Sequence, residues 1–101
     1  MPTDRQFLAI GLVIRRHREN QKLTQESFAT DQGMSQSYYG AIERGQHNLT
    51  LWNFFRIAEG LGVTPAQLLA EADQLDVAKV LKQGPRPPRR GRPPGSGRRQ
   101  R

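Results

Sequence analysis

Phe7, Ile10 and Ile14, continued by Arg18, recur at helical intervals on one stripe, while Arg15, Arg16 and Glu19 turn elsewhere; this spacing predicts a first helix over about 5–21. Leu8, Leu12 and Val13 make its first two turns apolar nearly all round, which calls for burial on more than one side or for contact with a second subunit. Thr24 is suited to cap a short second helix carrying Gln25, Glu26, Phe28 and Ala29 and ending near Thr30. Asp31, Gln32 and Gly33 form a turn, after which Met34 drops into the core. Ser35 caps a third helix. At about 100° per residue, Tyr39 and Ile42 point inward beside Tyr38, whereas Gln36, Ser37, Gly40, Ala41 and Arg44 share the outward face.

Gly45 ends that helix, and Gln46 to Leu49 make a polar connection. Thr50 caps a fourth helix whose apolar face comprises Leu51, Phe54, Phe55, Ile57, Ala58 and Leu61. Trp52 and Phe55 lie beside its main stripe, where either extra core or a subunit contact accounts for them. Thr64 followed by Pro65 opens a fifth helix through Leu68, Leu69 and Ala72. A weaker sixth segment spans Asp73 to Lys82, with Leu75, Ala78 and either Val80 or Leu81 at helical spacing.

Composition divides the chain in two: a helical domain over 1–82 and a tail over 83–101. Five of the seven prolines and four of the ten glycines lie in Gly84 to Gln100, interleaved with arginine, and such a segment cannot bury enough apolar surface to order itself. The formal charge of +7 is equally uneven. Lys82 to Arg101 holds eight basic residues and no acid, whereas Met1 to Leu81 holds eight basic and nine acidic side chains, a net of −1. Non-specific attraction to phosphates therefore belongs mainly to the tail.

The absence of cysteine removes a disulfide framework and any reason to invoke an oxidising compartment, so the cytoplasm is expected. The apolar run from Phe7 to Ile14 is too short to span a bilayer and lacks a signal-peptide cleavage site. His17 and His47 have no carboxylate cluster at ligand spacing, so neither metal nor other cofactor is expected. No nucleophile, base and orienting group recur at usable spacing, which argues against an enzyme.

The sequence resembles the lambda-repressor-like, or Xre-type, helix-turn-helix family over about residues 10–69. The resemblance is carried by Gly11, Ile14, Arg15 and Arg18, by Leu23-Thr24-Gln25-Glu26, Ala29 and Gly33, by the run Ser35 to Ile42, by Glu43-Arg44-Gly45, and by the run Ile57 to Val63. It implies an all-α fold of five helices, double-stranded DNA as partner, and a homodimer whose contact surface would be sought among Leu68, Leu69, Leu75, Val80 and Leu81. It further implies that Gln25, with the backbone donors beside it, holds a DNA phosphate, that Ser35 caps the reading helix, and that Gln36, Ser37 and Ala41 meet base edges while Gly40 lets the backbone approach the groove. Arg44, Gln46, His47 and Asn48 are candidates for phosphate contact just beyond that helix. Arg18 and Glu43 are paired by the resemblance in a buried, bidentate salt bridge that positions rather than reads. Tyr39 and Phe28 stand where the family usually has aliphatic residues, so a core repacked around rings is expected.

In the tail, Arg90-Gly91-Arg92-Pro93 resembles the core of an AT-hook, in which arginines enter a narrow minor groove; a non-specific phosphate-binding arm is the alternative. The span Tyr38 to Leu51 also resembles the small controller proteins of restriction-modification systems. The function implied is that of a sequence-specific, dimeric transcriptional regulator reading the major groove with its third helix. An antitoxin or a nucleoid-associated architectural protein is the alternative, and the tail's lack of large apolar anchors weighs against the former.

Overall fold

The computed structural model describes residues 2–46 and 49–82, with the side chains of 2–4 and 80–82 excepted. It consists of six helices in succession: α1 (Pro2–Asn20), α2 (Gln25–Asp31), α3 (Gln36–Glu43), α4 (Leu51–Leu61), α5 (Pro65–Gln74) and α6 (Val77–Lys82). Four begin under hydroxyl caps, and α6 under a carboxylate. The hydroxyls of Thr24, Ser35, Thr50 and Thr64 accept the backbone N–H of Ser27, Tyr38, Asn53 and Gln67 at 3.0, 3.0, 3.1 and 3.0 Å. Each cap satisfies a donor that the helix cannot satisfy itself and contributes about 1 kcal/mol. The caps fix where α2 and α3 start, while Gly33, at a φ of 74°, makes the turn between them.

One core joins the first five helices. Val13 and Ile14 of α1 meet Phe28 and Ala29 of α2, Tyr39 and Ile42 of α3, Phe54, Ile57, Ala58 and Leu61 of α4, and Leu68 of α5. The Phe28 and Tyr39 rings pack tilted, with centroids 5.2 Å apart and planes at 53°. At Gly11, α1 approaches the end of α3 so closely that a Cβ would stand 2.5 Å from the Ile42 carbonyl oxygen and 2.6 Å from that of Glu43. Only glycine permits that contact.

Several boundaries and burials differ from the sequence-based expectation. Helix α1 begins at Pro2 and α2 continues to Asp31. α5 runs through Gln74, so the sixth helix starts at Val77 rather than at Asp73. The Asp76 carboxylate accepts the Lys79 N–H at 2.9 Å and caps α6, while the extended backbone of Leu75 breaks the path from α5 and lets Leu75 pack against the core.

Trp52 is 70 % exposed and Phe55 51 % exposed, so neither adds to the core; Leu51, expected on the apolar face, is 70 % exposed. The inward stripe of α4 is Phe54, Ile57, Ala58 and Leu61, and the flank that carries Leu51, Trp52 and Phe55 stays open to solvent. Leu68, expected at a subunit surface, is fully buried, whereas Leu69 is 48 % exposed. The tail, with Arg90 and Arg92, lies outside the described residues, and so do His47 and Asn48. Among the described residues, no helix is long and apolar enough to cross a membrane.

α1 and α5 are also joined at their surface by His17, whose Nε2 lies 2.9 Å from Glu71 Oε1, while Gln67 Nε2 donates to Glu71 Oε2 at 3.0 Å. The Gln67 hydrogen bond, then that from His17, hold the Glu71 carboxyl below its ordinary value. A depressed carboxylate stabilises the fold above its unfolded pKa, and this contribution is lost as pH falls through the folded value. Thermal melts of the unaltered chain and Glu71→Gln should therefore differ slightly at neutral pH, with the unaltered chain the more stable, and converge as pH falls below the ordinary carboxylate range.

Candidate nucleic-acid interface

Four donors converge on one buried carboxylate where α1, α2 and α3 meet. Glu43 is 4 % exposed and Arg18 7 %. Arg18 Nε donates to Glu43 Oε2 at 2.7 Å and Nη2 to Oε1 at 3.1 Å, a bidentate pair; Gln25 Nε2 donates to Oε1 at 2.9 Å, and the Tyr39 hydroxyl donates to Oε2. Arg18 Nη1 also donates to the Leu23 carbonyl, which fixes the chain just before α2.

Burial alone would lower the Arg18 pKa, but the hydrogen bond and charge of Glu43 outweigh it and raise the value. Burial, then the hydrogen bond to Glu43, push the Tyr39 hydroxyl well above its usual range, so it remains a donor. The carboxylate is thus fully engaged in a place where an unpaired charge would be costly.

This network sets the pose of α3 relative to α1 and α2. Ser35, Gln36 and Ser37, in its cap and first turn, are exposed, with the Ser35 hydroxyl occupied in capping. Arg44 at the C-cap is exposed, and its Nε donates to Gln46 Oε1 at 3.2 Å. Gln25 is half-buried at the start of α2.

Gly40 and Ala41 depart from the expected outward face: both are buried, Ala41 at 3 % exposure. α3 is only eight residues long and packs against both α1 and α2, so its second turn is covered on more sides than a single-stripe pattern allows. Ala41 is therefore closed to a thymine methyl, and Gly40 faces protein side chains rather than a groove.

Two further contacts escaped the sequence. The Tyr38 hydroxyl accepts from Asn53 Nδ2 at 2.9 Å, tying α3 to α4 across the 46–50 connection; no local pattern announces that pair. Tyr39 and Glu43, in contrast, stand four residues apart on one helix, a spacing that places their side chains together. Among the described residues no group of histidine, aspartate and glutamate could hold a metal ion.

Two helices across a glycine turn, the second seated on a buried ion pair and open only along its first turn and C-terminal edge, define a helix-turn-helix DNA-binding domain. The chain belongs to the helix-turn-helix family, whose pattern matches residues 14–68. It is 37 % identical over 57 residues to the control protein C.MunI of a Mycoplasma species, a match covering 56 % of this chain and 77 % of that protein.

Its fold is similar to that of the restriction-modification controller protein C.AhdI from Aeromonas hydrophila, with a TM-score of 0.60 at 35 % identity, over 61 % of this chain and 94 % of the other. It is also similar to the clp gene regulator ClgR from Corynebacterium glutamicum, with a TM-score of 0.65 at 25 % identity, over 67 % and 87 %. The protein is a DNA-binding transcriptional regulator of the Xre-like type, and its family and relatives are regulators rather than enzymes.

Glu43→Gln keeps the shape of the buried network but leaves the Arg18 charge uncompensated. It should cost about 3–5 kcal/mol in urea denaturation. Tyr39→Phe removes one of four donors and retains the ring, and should cost less, about 1.5–3 kcal/mol. Equal losses would show that the ion pair is not the dominant partner.

Proposed function

We propose that the protein binds as a homodimer to a palindromic operator, laying the first turn of α3 in successive major grooves with half-sites about 34–36 Å apart. The observation that supports this reading best is the placement of Gln36 and Ser37: exposed, polar, and on a turn whose pose is fixed by the buried Arg18–Glu43 pair. A glutamine side chain can pair with adenine by accepting from N6 and donating to N7, and a serine hydroxyl adds a less discriminating contact.

Gln25 and Arg44 contact phosphates on either side of this turn, with the 46–48 connection, and so Gln46, His47 and Asn48, as further phosphate contacts. Of the apolar surface expected to face a second subunit, Leu69 is available, and Leu51, Trp52 and Phe55 add exposed apolar area on α4. The basic tail, through Arg90 and Arg92 above all, contributes affinity and association rate from outside the fold by reaching phosphates or the minor groove. The protein works in the cytoplasm at the nucleoid. Its likeness to a control protein and to a restriction-modification controller favours promoter control of that kind.

Binding selection from a random duplex library, with the full chain and with a chain ending at Lys82, tests this reading. A palindromic motif is expected for both, with a shallower salt dependence for the shorter chain. No motif in either would favour an architectural role. Gln36→Ala should alter the selected sequence, whereas Arg92→Ala should weaken binding evenly across sequences; the same uniform loss from both would remove α3 as the reader.

A further inference from the structure

A groove of about 410 Å³ lies between the first half of α1 and the second half of α5. Phe7 and Ile10 of α1 and Leu69 and Ala72 of α5 line it, and Gln6 and Asp73 supply its polar margin. Leu69 is half-exposed, and Asp73 has no hydrogen-bond or ion-pair partner among the described residues. The acids on either side of it in sequence are occupied, Glu71 by His17 and Gln67 and Asp76 in capping α6. The groove thus combines an apolar lining that includes an aromatic ring with one carboxylate left over.

Such a surface suits an arginine beside prolines. Prolines have a fixed backbone and lie on aromatic-lined grooves at little cost in conformational entropy, and a flanking guanidinium pairs with a carboxylate. The chain holds that combination directly after α6, in Pro85-Arg86-Pro87-Pro88. From Gln6 to Ile10 the α1 wall rises about 6 Å, the length of two residues of a polyproline helix at about 3.1 Å each. α6 follows α5 after the break at Leu75 and packs back against α1, so the tail leaves from the same pair of helices that form the groove. The four residues from Lys82 to Arg86 then span up to about 13 Å. Charge agrees with reach: Lys82 to Arg101 holds eight basic residues and no acid, against a net of −1 in the rest of the chain.

We propose that this groove seats Arg86-Pro87-Pro88 of the same chain, with the Arg86 guanidinium on the Asp73 carboxylate and the two prolyl rings against Phe7, Ile10 and Leu69. The seat goes beyond the DNA-binding reading, because it holds the tail on the domain when no DNA is present. DNA and the groove then compete for one arginine-rich segment, and the domain restrains the tail's attraction for phosphates. The contact is autoinhibitory.

The chain has no cysteine, so Gly91→Cys accepts a single nitroxide, whose broadening of backbone amide signals reports where the tail lies. In the full chain without DNA, the amide signals of Phe7, Ile10, Leu69 and Asp73 should lose more than half their intensity. Pro87→Ser/Pro88→Ser, which leaves every charge and the whole helical domain unaltered, should restore them. Asp73→Arg should also restore them, and Arg86→Asp added to Asp73→Arg should bring the broadening back. With a fluorescein-labelled duplex of arbitrary sequence read by anisotropy at low salt, Pro87→Ser/Pro88→Ser without the nitroxide should bind about threefold more tightly than the unaltered chain.

Absence of broadening at the groove would overturn the proposal, as would broadening that survives either change or that Arg86→Asp does not bring back. So would an unchanged duplex affinity in Pro87→Ser/Pro88→Ser. In a mixture of isotope-labelled chain lacking the nitroxide and unlabelled chain carrying it, the groove signals should stay sharp; broadening there would assign the groove to a neighbouring copy and remove the seat within one chain. Should Asp73→Arg fail to fold, Pro87→Ser/Pro88→Ser decides by the same criterion, since it alters nothing in the domain. None of these measurements needs an operator, so failure to select a motif would refute the regulator reading without deciding the fate of the seat.

Discussion

The carboxylate of Glu43 is the point on which the helix-turn-helix depends. It is shut away from water and carries a full charge, which is tolerable only because Arg18 meets it with both arms of its guanidinium and Tyr39 and Gln25 occupy the remaining acceptor positions. Each partner comes from a different place: Arg18 from α1, Gln25 from the start of α2, Tyr39 from one turn earlier on α3. Satisfying the charge therefore fixes three helices at once, as a purely apolar contact, which tolerates sliding, would not. Gly11 complements this by letting α1 lie directly on the end of α3.

A rigid seat matters because the surface it presents is small. The eight residues of α3 give up their second turn to packing, which leaves Gln36 and Ser37 exposed on the first. The domain through Leu81 carries a net charge of −1, so it has little general attraction for DNA. The excess positive charge lies in Lys82 to Arg101, whereas the eight basic residues before it, Arg44 among them, are outnumbered by nine acids.

Most of the helices could be read along the chain because their determinants are local. Thr24, Ser35, Thr50 and Thr64 are caps whose acceptors reach only three residues ahead, and Gly33 sits where a left-handed residue must follow a helix. The stripe of Val13 and Ile14, and that of Phe54, Ile57, Ala58 and Leu61, are periodic enough to identify inward faces. Asp76, capping α6, was equally local, but the weak apolar periodicity from Asp73 obscured it.

The amino-acid sequence by itself determined the order of helices, the turn between α2 and α3, and the uneven division of charge, because caps, periodicity and composition act over a few residues. Only the tertiary structure decided which side chains remain outside. Trp52 and Phe55 are hydrophobic yet stay exposed on the open flank of α4, whereas Gly40 and Ala41 are covered because two helices close over α3. It also brought Gln25 and Arg44 together over Gly40 and gave Tyr39 its hydroxyl partner in Glu43. Helical spacing says where a side chain points on its own helix. What lies opposite is settled by packing among segments distant in the chain, and the functional surface is what that packing leaves open.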